Sequence, residues 1–390
     1  MARGNITFNK STAGGRRVAP GEDYISGLIF FGSGFTALSP DAPHLLYTIQ
    51  DAEALGITKT TTSTYTFKDY IHYQISEFFR ANPSGQLWIH VSTSDTVVAS
   101  LITTVQKASV GKIRQMGICK IGAYSNADMI AIQTEVATNC DAKHMPLSVI
   151  YSGDLTATVD ITTIPDLASQ TDFKVSSVIS QDGSGLGKAI STGLTVSCPN
   201  VGLALGMLSK SAVSEDFGQP VDKFNLSDGT ENEVPAFANG QLISELSDNA
   251  LDAIDAKRHI FMQKYVGYNG TYFNDNHTAC ALTSDYAYIN DNRVIDKAIR
   301  GIYSALLPYL KSKLLKNSDG TLADATVSYL TNVALAPLYQ MNRDGDLGAI
   351  AQEDVYIDPT QDVNNGTLTI NVKLNENGIA RNIVIPISFK

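Results

Sequence analysis

The stretch LWIHVSTSDTVVASLITTVQKASVGKIRQMGICKI, Leu87 to Ile121, decides the fold class. It opens on a β-forming run (Leu87–Val91), crosses a polar turn into residues with helical spacing (Val97–Lys107), and returns to a β-forming run at Ile113–Ile121. Strand, helix and strand in that order form the unit from which parallel sheets are wound. The alternation extends from about residue 65 to 265, with further strands at Leu147–Tyr151, Phe173–Ile179 and His259–Tyr265. Helices are read at Phe67–Arg80, Ala127–Lys143, Asn200–Ser211 and Leu242–Lys257, and Ser247-Asp248 offers cap chemistry within the last of them. Residues 152–170, with alternating Leu155, Val159 and Ile161, read as a loop plus an edge strand.

Outside this core lie two different kinds of sequence. Residues 1–21 carry Arg3, Lys10, Arg16 and Arg17, no acid and several glycines, with too little apolar surface to offset the entropy of ordering. They read as a flexible N-terminal arm in which Asn5-Ile6-Thr7-Phe8 alternates as a strand does. After the turn cluster Gly267-Tyr268-Asn269-Gly270, a helix is expected from Tyr286 to Lys316, kinked or divided at Pro308, and another from Ala323 to Met341, broken at Pro337. Three β-type runs close the chain, Asp354–Ile357, Thr367–Leu374 and Arg381–Phe389. The expected fold is therefore α/β, a βαβ-rich sheet portion at 22–266 followed by a C-terminal α+β portion at 267–390 with long helices and terminal β-strands. Residues 152–240 leave room for an inserted subdomain.

Composition excludes several classes. With 43% hydrophobic and 17% charged residues over 390, the chain is an ordinary folding sequence of more than one packed unit. A net charge of -10 opposes direct nucleic-acid binding through the overall field. The longest apolar run, Leu28–Phe31, is far short of the ~20 residues of a membrane span, and no secretory signal is recognisable. Cys119, Cys140, Cys198 and Cys280 form no CxxC pair and read as reduced, buried thiols.

Catalytic motifs fail on inspection. Gly183-Ser184-Gly185-Leu186-Gly187-Lys188-Ala189 resembles a phosphate loop, but Asp182 stands where Walker A requires Gly and Ala189 where it requires a hydroxyl. Asn342, Asp344, Asp346 and Glu353 have calcium-loop spacing, yet Leu347 replaces the glycine that turns the oxygens inward. The six histidines make no HExxH, and there is no nucleophile elbow. No cofactor, metal site or catalytic residue is expected.

Charge and termini point to assembly. Tyr286–Lys316 carries Arg293, Lys297, Arg300 and Lys311 at spacings that share one face of a continuous helix, whereas 214–255 holds ten acids against Lys223 alone. Opposite patches on one chain suit the head-to-tail contacts of rings and helices. The last run, Ile383-Val384-Ile385-Pro386-Ile387-Ser388-Phe389, is strongly β-forming but contains Pro386, which confines it to an edge. Ile6, Phe8, Ile383, Val384, Ile385, Ile387 and Phe389 are the candidate inter-subunit strand residues, although a strand pairing only with Thr367–Leu374 of its own chain fits the pattern equally.

Tyr286-Ala287-Tyr288-Ile289-Asn290, followed by Arg293-Val294-Ile295-Asp296-Lys297 and a long helix, resembles the contractile tail sheath proteins of phages and phage-like injection systems. Gly270–Thr278 departs from the Trp-Gly-x-Arg-Thr-like motif of many sheath sequences, as in a divergent member. The resemblance implies a structural subunit rather than an enzyme, made in the bacterial cytoplasm and sited in the virion tail. Its partners would be further copies of itself, a tail tube protein and the baseplate and terminator proteins, with Arg293, Lys297, Arg300 and Lys311 toward the tube. It would contract without nucleotide hydrolysis by exchanging interfaces between rigid subunits. The alternatives are a nucleotide-binding α/β enzyme or another virion structural protein.

Overall fold

The structure is a computed structural model that describes residues 22–60, 64–364, 366–381 and 383–388. A twisted seven-stranded sheet forms its centre: β1 (Ile25–Phe31), β2 (His44–Leu46), β3 (Gln86–Ser92), β4 (Gln115–Ala123), β5 (Ser148–Asp154), β6 (Val175–Val178) and β7 (His259–Ile260). Their spatial order is β7-β6-β5-β4-β1-β3-β2, parallel throughout except where β2 runs antiparallel to β3 at the edge. The expected α/β class is the observed one.

Near the middle of the sheet runs β1, which sequence periodicity does not single out. All seven of its residues are buried, because helices cover both faces of the sheet. Leu28 and Phe30 point into one core with α1 (Phe67–Ala81), α4 (Leu186–Leu194) and α5 (Val201–Lys210), whereas Ile29 and Phe31 point into the other with α2 (Ser100–Ala108) and α3 (Asn126–Glu135). The helix read at 242–257 is shorter: a 3-10 turn at Ile243–Glu245 precedes α6 (Asp248–Ala256), and the Ser247 hydroxyl accepts the amide of Ala250. The edge strand read near 155–161 does not form; Leu155, Ile161 and Ile164 instead bury themselves in a separate cluster with Phe237 and Phe261.

The turn at Gly267 and Gly270, both at positive φ, connects a short antiparallel hairpin, Met262–Gln263 with Tyr272–Phe273. Ala279–Cys280 then pairs with Thr171–Asp172 before the chain enters α7 (Ile289–Leu306) and α8 (Asp324–Asp344). These two helices pack on one another around Val294, Ala298, Ala334, Leu335 and Leu338. Pro308 ends α7 in a 3-10 turn at Leu307–Tyr309, after which Lys311 has φ 66°. Pro337 does not break α8: a Cβ at Gly301 on α7 would lie 2.8 Å from the Pro337 Cβ, so the ring's bulk sits where the opposing helix has no side chain. Two short strands, β8 (Val355–Tyr356) and β9 (Asn371–Val372), pair antiparallel near the end of the chain. Among the described residues, Arg381 and 383–388 form no strand, and no helix is long and apolar enough to cross a membrane.

Candidate assembly surface

The basic helix is not the free face its spacing predicts. Arg293 is buried, and its guanidinium donates to the Ser211 hydroxyl at 2.8 Å and the Ala212 carbonyl at 3.2 Å. Burial pushes it down to about 10, still far above neutrality. Lys297 reaches Asp23 at 2.9 Å and Asp346 at 2.6 Å, and Arg300 reaches Asp23 at 3.4 Å. Burial works to raise the Asp23 carboxyl, but the charges of Lys297 and Arg300 outweigh it and hold it below the usual carboxylate range. The expected four-residue face is therefore corrected: three of its cations hold the segment entering β1 and the loops after α5 and α8. Lys311, beyond the end of the helix, is the one of the four left exposed. Nothing in the pattern of α7 flags Asp23, which follows Glu22 at the root of a basic arm.

The two motif fragments are likewise occupied from within. Both oxygens of Glu231 accept the Leu186 amide, at 3.0 and 2.9 Å, so a carboxylate of the chain itself sits at the amino end of α4 where a nucleotide would place a phosphate. Burial and the adjoining Asp182 push the Glu231 carboxyl up. In the calcium-like loop Asp346 is paired with Lys297, Asn342 donates to the Leu347 and Gly348 carbonyls, and Leu347 is buried. No group of three or more metal-ligating side chains occurs among the described residues.

Toward the carboxyl ends of the strands, where α/β folds commonly bind ligands, several polar groups pair with one another. Asp128 accepts from Lys120 at 2.6 Å and from Tyr151 at 2.7 Å. Tyr124 lies 3.0 Å from the Ser177 hydroxyl, which lies 3.1 Å from His259 Nδ1, while His259 Nε2–H donates to the Pro165 carbonyl at 2.8 Å. Burial pushes His259 down to about 4, so the folded protein holds it neutral while the unfolded chain protonates it near its ordinary value. Stability is consequently lost as pH falls from that value through 4, by about 2 kcal/mol between pH 7 and 4.5 for this group. Urea midpoints at the two pH values should show a loss smaller by that amount in His259→Gln; equal losses would refute the assignment.

The terminal segment presents the opposite situation. Ile383, Val384, Ile385 and Ile387 are 72–91% exposed, and among the described residues no strand pairs with them. Among the described residues the pairing with Thr367–Leu374 that the pattern allowed does not appear as a strand pair; Asn371–Val372 pairs with Val355–Tyr356. Four exposed aliphatics in five positions form an apolar edge that a soluble protein normally covers. Beside the C-terminal helices lies a groove of about 870 Å³ lined by Leu306, Leu307, Leu310, Leu314, Leu368 and Ile370. The other candidate strand residues, Ile6, Phe8 and Phe389, lie outside the described residues.

Comparison with known proteins gives a consistent result. A family model described as DUF2586, N-terminal domain, matches residues 4–277, and one described as DUF2586, C-terminal domain, matches residues 285–390. No curated protein matches. Among solved structures, a chain of the six-fold symmetrised cryo-EM structure of the anti-feeding prophage baseplate aligns with a TM-score of 0.61 and 14% identity, over 100% of this chain and 99% of that one. The crystal structure of a sheath tail protein from Listeria innocua aligns with a TM-score of 0.58 and 10% identity, over 92% of this chain and 93% of that one. At these identities the likeness is one of fold, and it spans nearly the whole chain.

Proposed function

The chain belongs to the DUF2586 family and has the fold of a sheath tail protein, and from that premise we propose that it is a structural subunit of a contractile tail, polymerising around a tail tube and contracting to drive injection. The observation that carries this reading is the unpartnered apolar run Ile383–Ile387 on a folded body whose other motifs are internally satisfied. In extended backbone, successive amides point to opposite edges, so Pro386 removes a donor from the edge shared with Val384 and leaves the edge of Ile383, Ile385 and Ile387 intact. The segment therefore joins a neighbour's sheet through one edge and caps it. Its recipient is the β8–β9 pair, since two strands of two residues each are too small to stand alone and leave edges open. The N-terminal arm supplies the second exchanged element. Further copies, the tube, the baseplate and the terminator are the partners, and Lys311 remains available to an acidic tube.

Negative-stain electron microscopy across a concentration series tests this directly. The full chain is expected to give hollow tubes or rings, and a chain lacking residues 1–21 and 381–390 is expected to give neither. Ile385→Asp with Ile387→Asp should reproduce the loss without truncation, because each charge would have to be buried beside a strand. If the full chain stays monomeric at high concentration with the tube protein added, the proposal fails.

A further inference from the structure

Just before the exposed run, Arg381 is the only cation between residues 374 and 389, and its side chain does not follow the backbone into solvent. Its Nε–H donates to Asp275 Oδ2 at 3.0 Å, with Oδ1 at 3.3 Å. Its Nη2 lies 3.4 Å from Asn276 Oδ1 and 3.6 Å from Asp216 Oδ2. The guanidinium carbon stands 3.3 Å from the centre of the Tyr288 ring. Nε and Nη2 thus spread over oxygens of three residues, with an aromatic face beneath the plane, an environment that suits the flat guanidinium better than a compact ammonium.

The surroundings hold this arrangement in place. Asp216 and Asp275 are 11% and 13% exposed at their side chains, and Asp216 is fixed by the Gly218 amide at 2.7 Å. Asn276 donates to Asn290 at 2.8 Å, which turns its oxygen toward Arg381. Tyr288 is flanked on its own account by Arg258, 4.8 Å from the ring centre, and by the His277 ring at 5.7 Å. Burial and the Asp275 charge push the Asp216 carboxyl up, and the Arg381 charge works against them.

We propose that Asp216, Asp275, Asn276 and Tyr288 form a guanidinium-binding socket whose ligand is the Arg381 side chain of the same chain, and that this contact fixes the root of the C-terminal segment to the body. The exposed run, six residues on at Ile387, then leaves from a set point and reaches at most about 20 Å from it. The other terminal segment is rooted with the signs reversed, Asp23 lying on Lys297 and Arg300. The socket itself does not depend on the polymer; its consequence, that any recipient sheet must lie within that reach, rests on the assembly reading above.

Trypsin tests the socket on dilute, monomeric protein, because cleavage after residue 381 requires the side chain to enter the protease. The released peptide 382–390 is followed by mass spectrometry and its rate compared with a free peptide spanning 375–390. The wild-type chain is expected to be cut at this bond about tenfold more slowly than the peptide, the scale of one charge-assisted hydrogen bond. Arg381→Lys, which leaves the body untouched and keeps a trypsin site, is expected to be cut within about threefold of its own peptide, since a single ammonium cannot reach these separated oxygens and lie flat on the ring at once. Asp275→Asn, checked for an unchanged melting profile, should behave likewise. Wild-type cleavage at the free-peptide rate, or Arg381→Lys protected as well as wild type, overturns the proposal. Because no assembly enters the measurement, such a failure is separate from a failure to polymerise.

Discussion

Gly202→Ala is expected to lower stability by about 4 kcal/mol, the largest effect expected of a methyl addition at the glycines among the described residues. A Cβ there would lie 2.0 Å from the Gln74 carbonyl oxygen and 2.7 Å from its carbon, and both atoms are backbone of α1. No flexible side chain can yield, so α1 and α5 would have to separate. Separation also strains the contacts that tie them: the Gly202 amide donates to Gln74 Oε1 at 2.8 Å, and Gln74 Nε2 donates to the Pro199 carbonyl at 2.7 Å. Both ends of that side chain are buried and would be left unpaired. Gly206, one turn on, meets the Ala81 Cβ and the Phe78 carbonyl oxygen at 2.7 Å, a milder clash, and Gly206→Ala should cost about half as much. Gly378, where an added methyl would have nothing within 4 Å, is the control. Urea denaturation of the three variants checks the order; a Gly202→Ala midpoint equal to that of Gly378→Ala would refute the close-packing account.

Which parts of this architecture can be read from the sequence follows from how local their causes are. Helix α1 and strand β3 fall within a residue or so of their expected ends because cap, periodicity and turn all lie inside the segment. The apolar run in β1 speaks in the sequence only against a membrane span: a strand buried on both faces shows no alternation, and a short apolar run carries no period of its own. The unbroken course of α8 through Pro337 depends on Gly301, on another helix. The cations of α7 are legible as a cluster, but their acids are supplied by Asp23, 274 positions from Lys297, and by Asp346, 49 positions away. No local pattern can show such a pairing. The Tyr288 and Asn290 of the sheath-like motif are legible as a resemblance, and the structure gives them a physical task in supporting Arg381.

Asp296→Ala is expected to cost about 3 to 5 kcal/mol, because it strands a buried ammonium. Lys174 Nζ lies 2.5 Å from Asp296 Oδ1, with the two side chains 5% and 4% exposed. The other acid beside Lys174 is Asp141, at 3.7 Å and more exposed, beyond hydrogen-bond distance and therefore a poorer partner. Lys174 immediately precedes β6 and Asp296 lies on α7, so this one contact ties the sheet to the C-terminal helices. Removing both charges tests what the pair is for. In Lys174→Met combined with Asp296→Leu no charge is stranded, and stability should return to within about 1 kcal/mol of wild type. A double-mutant cycle by urea denaturation gives the coupling: single variants that each cost less than about 1 kcal/mol would mean the pair is solvated and the burial argument is wrong. If the double variant is stable yet amide exchange in α7 quickens, the pair contributes orientation rather than net stability.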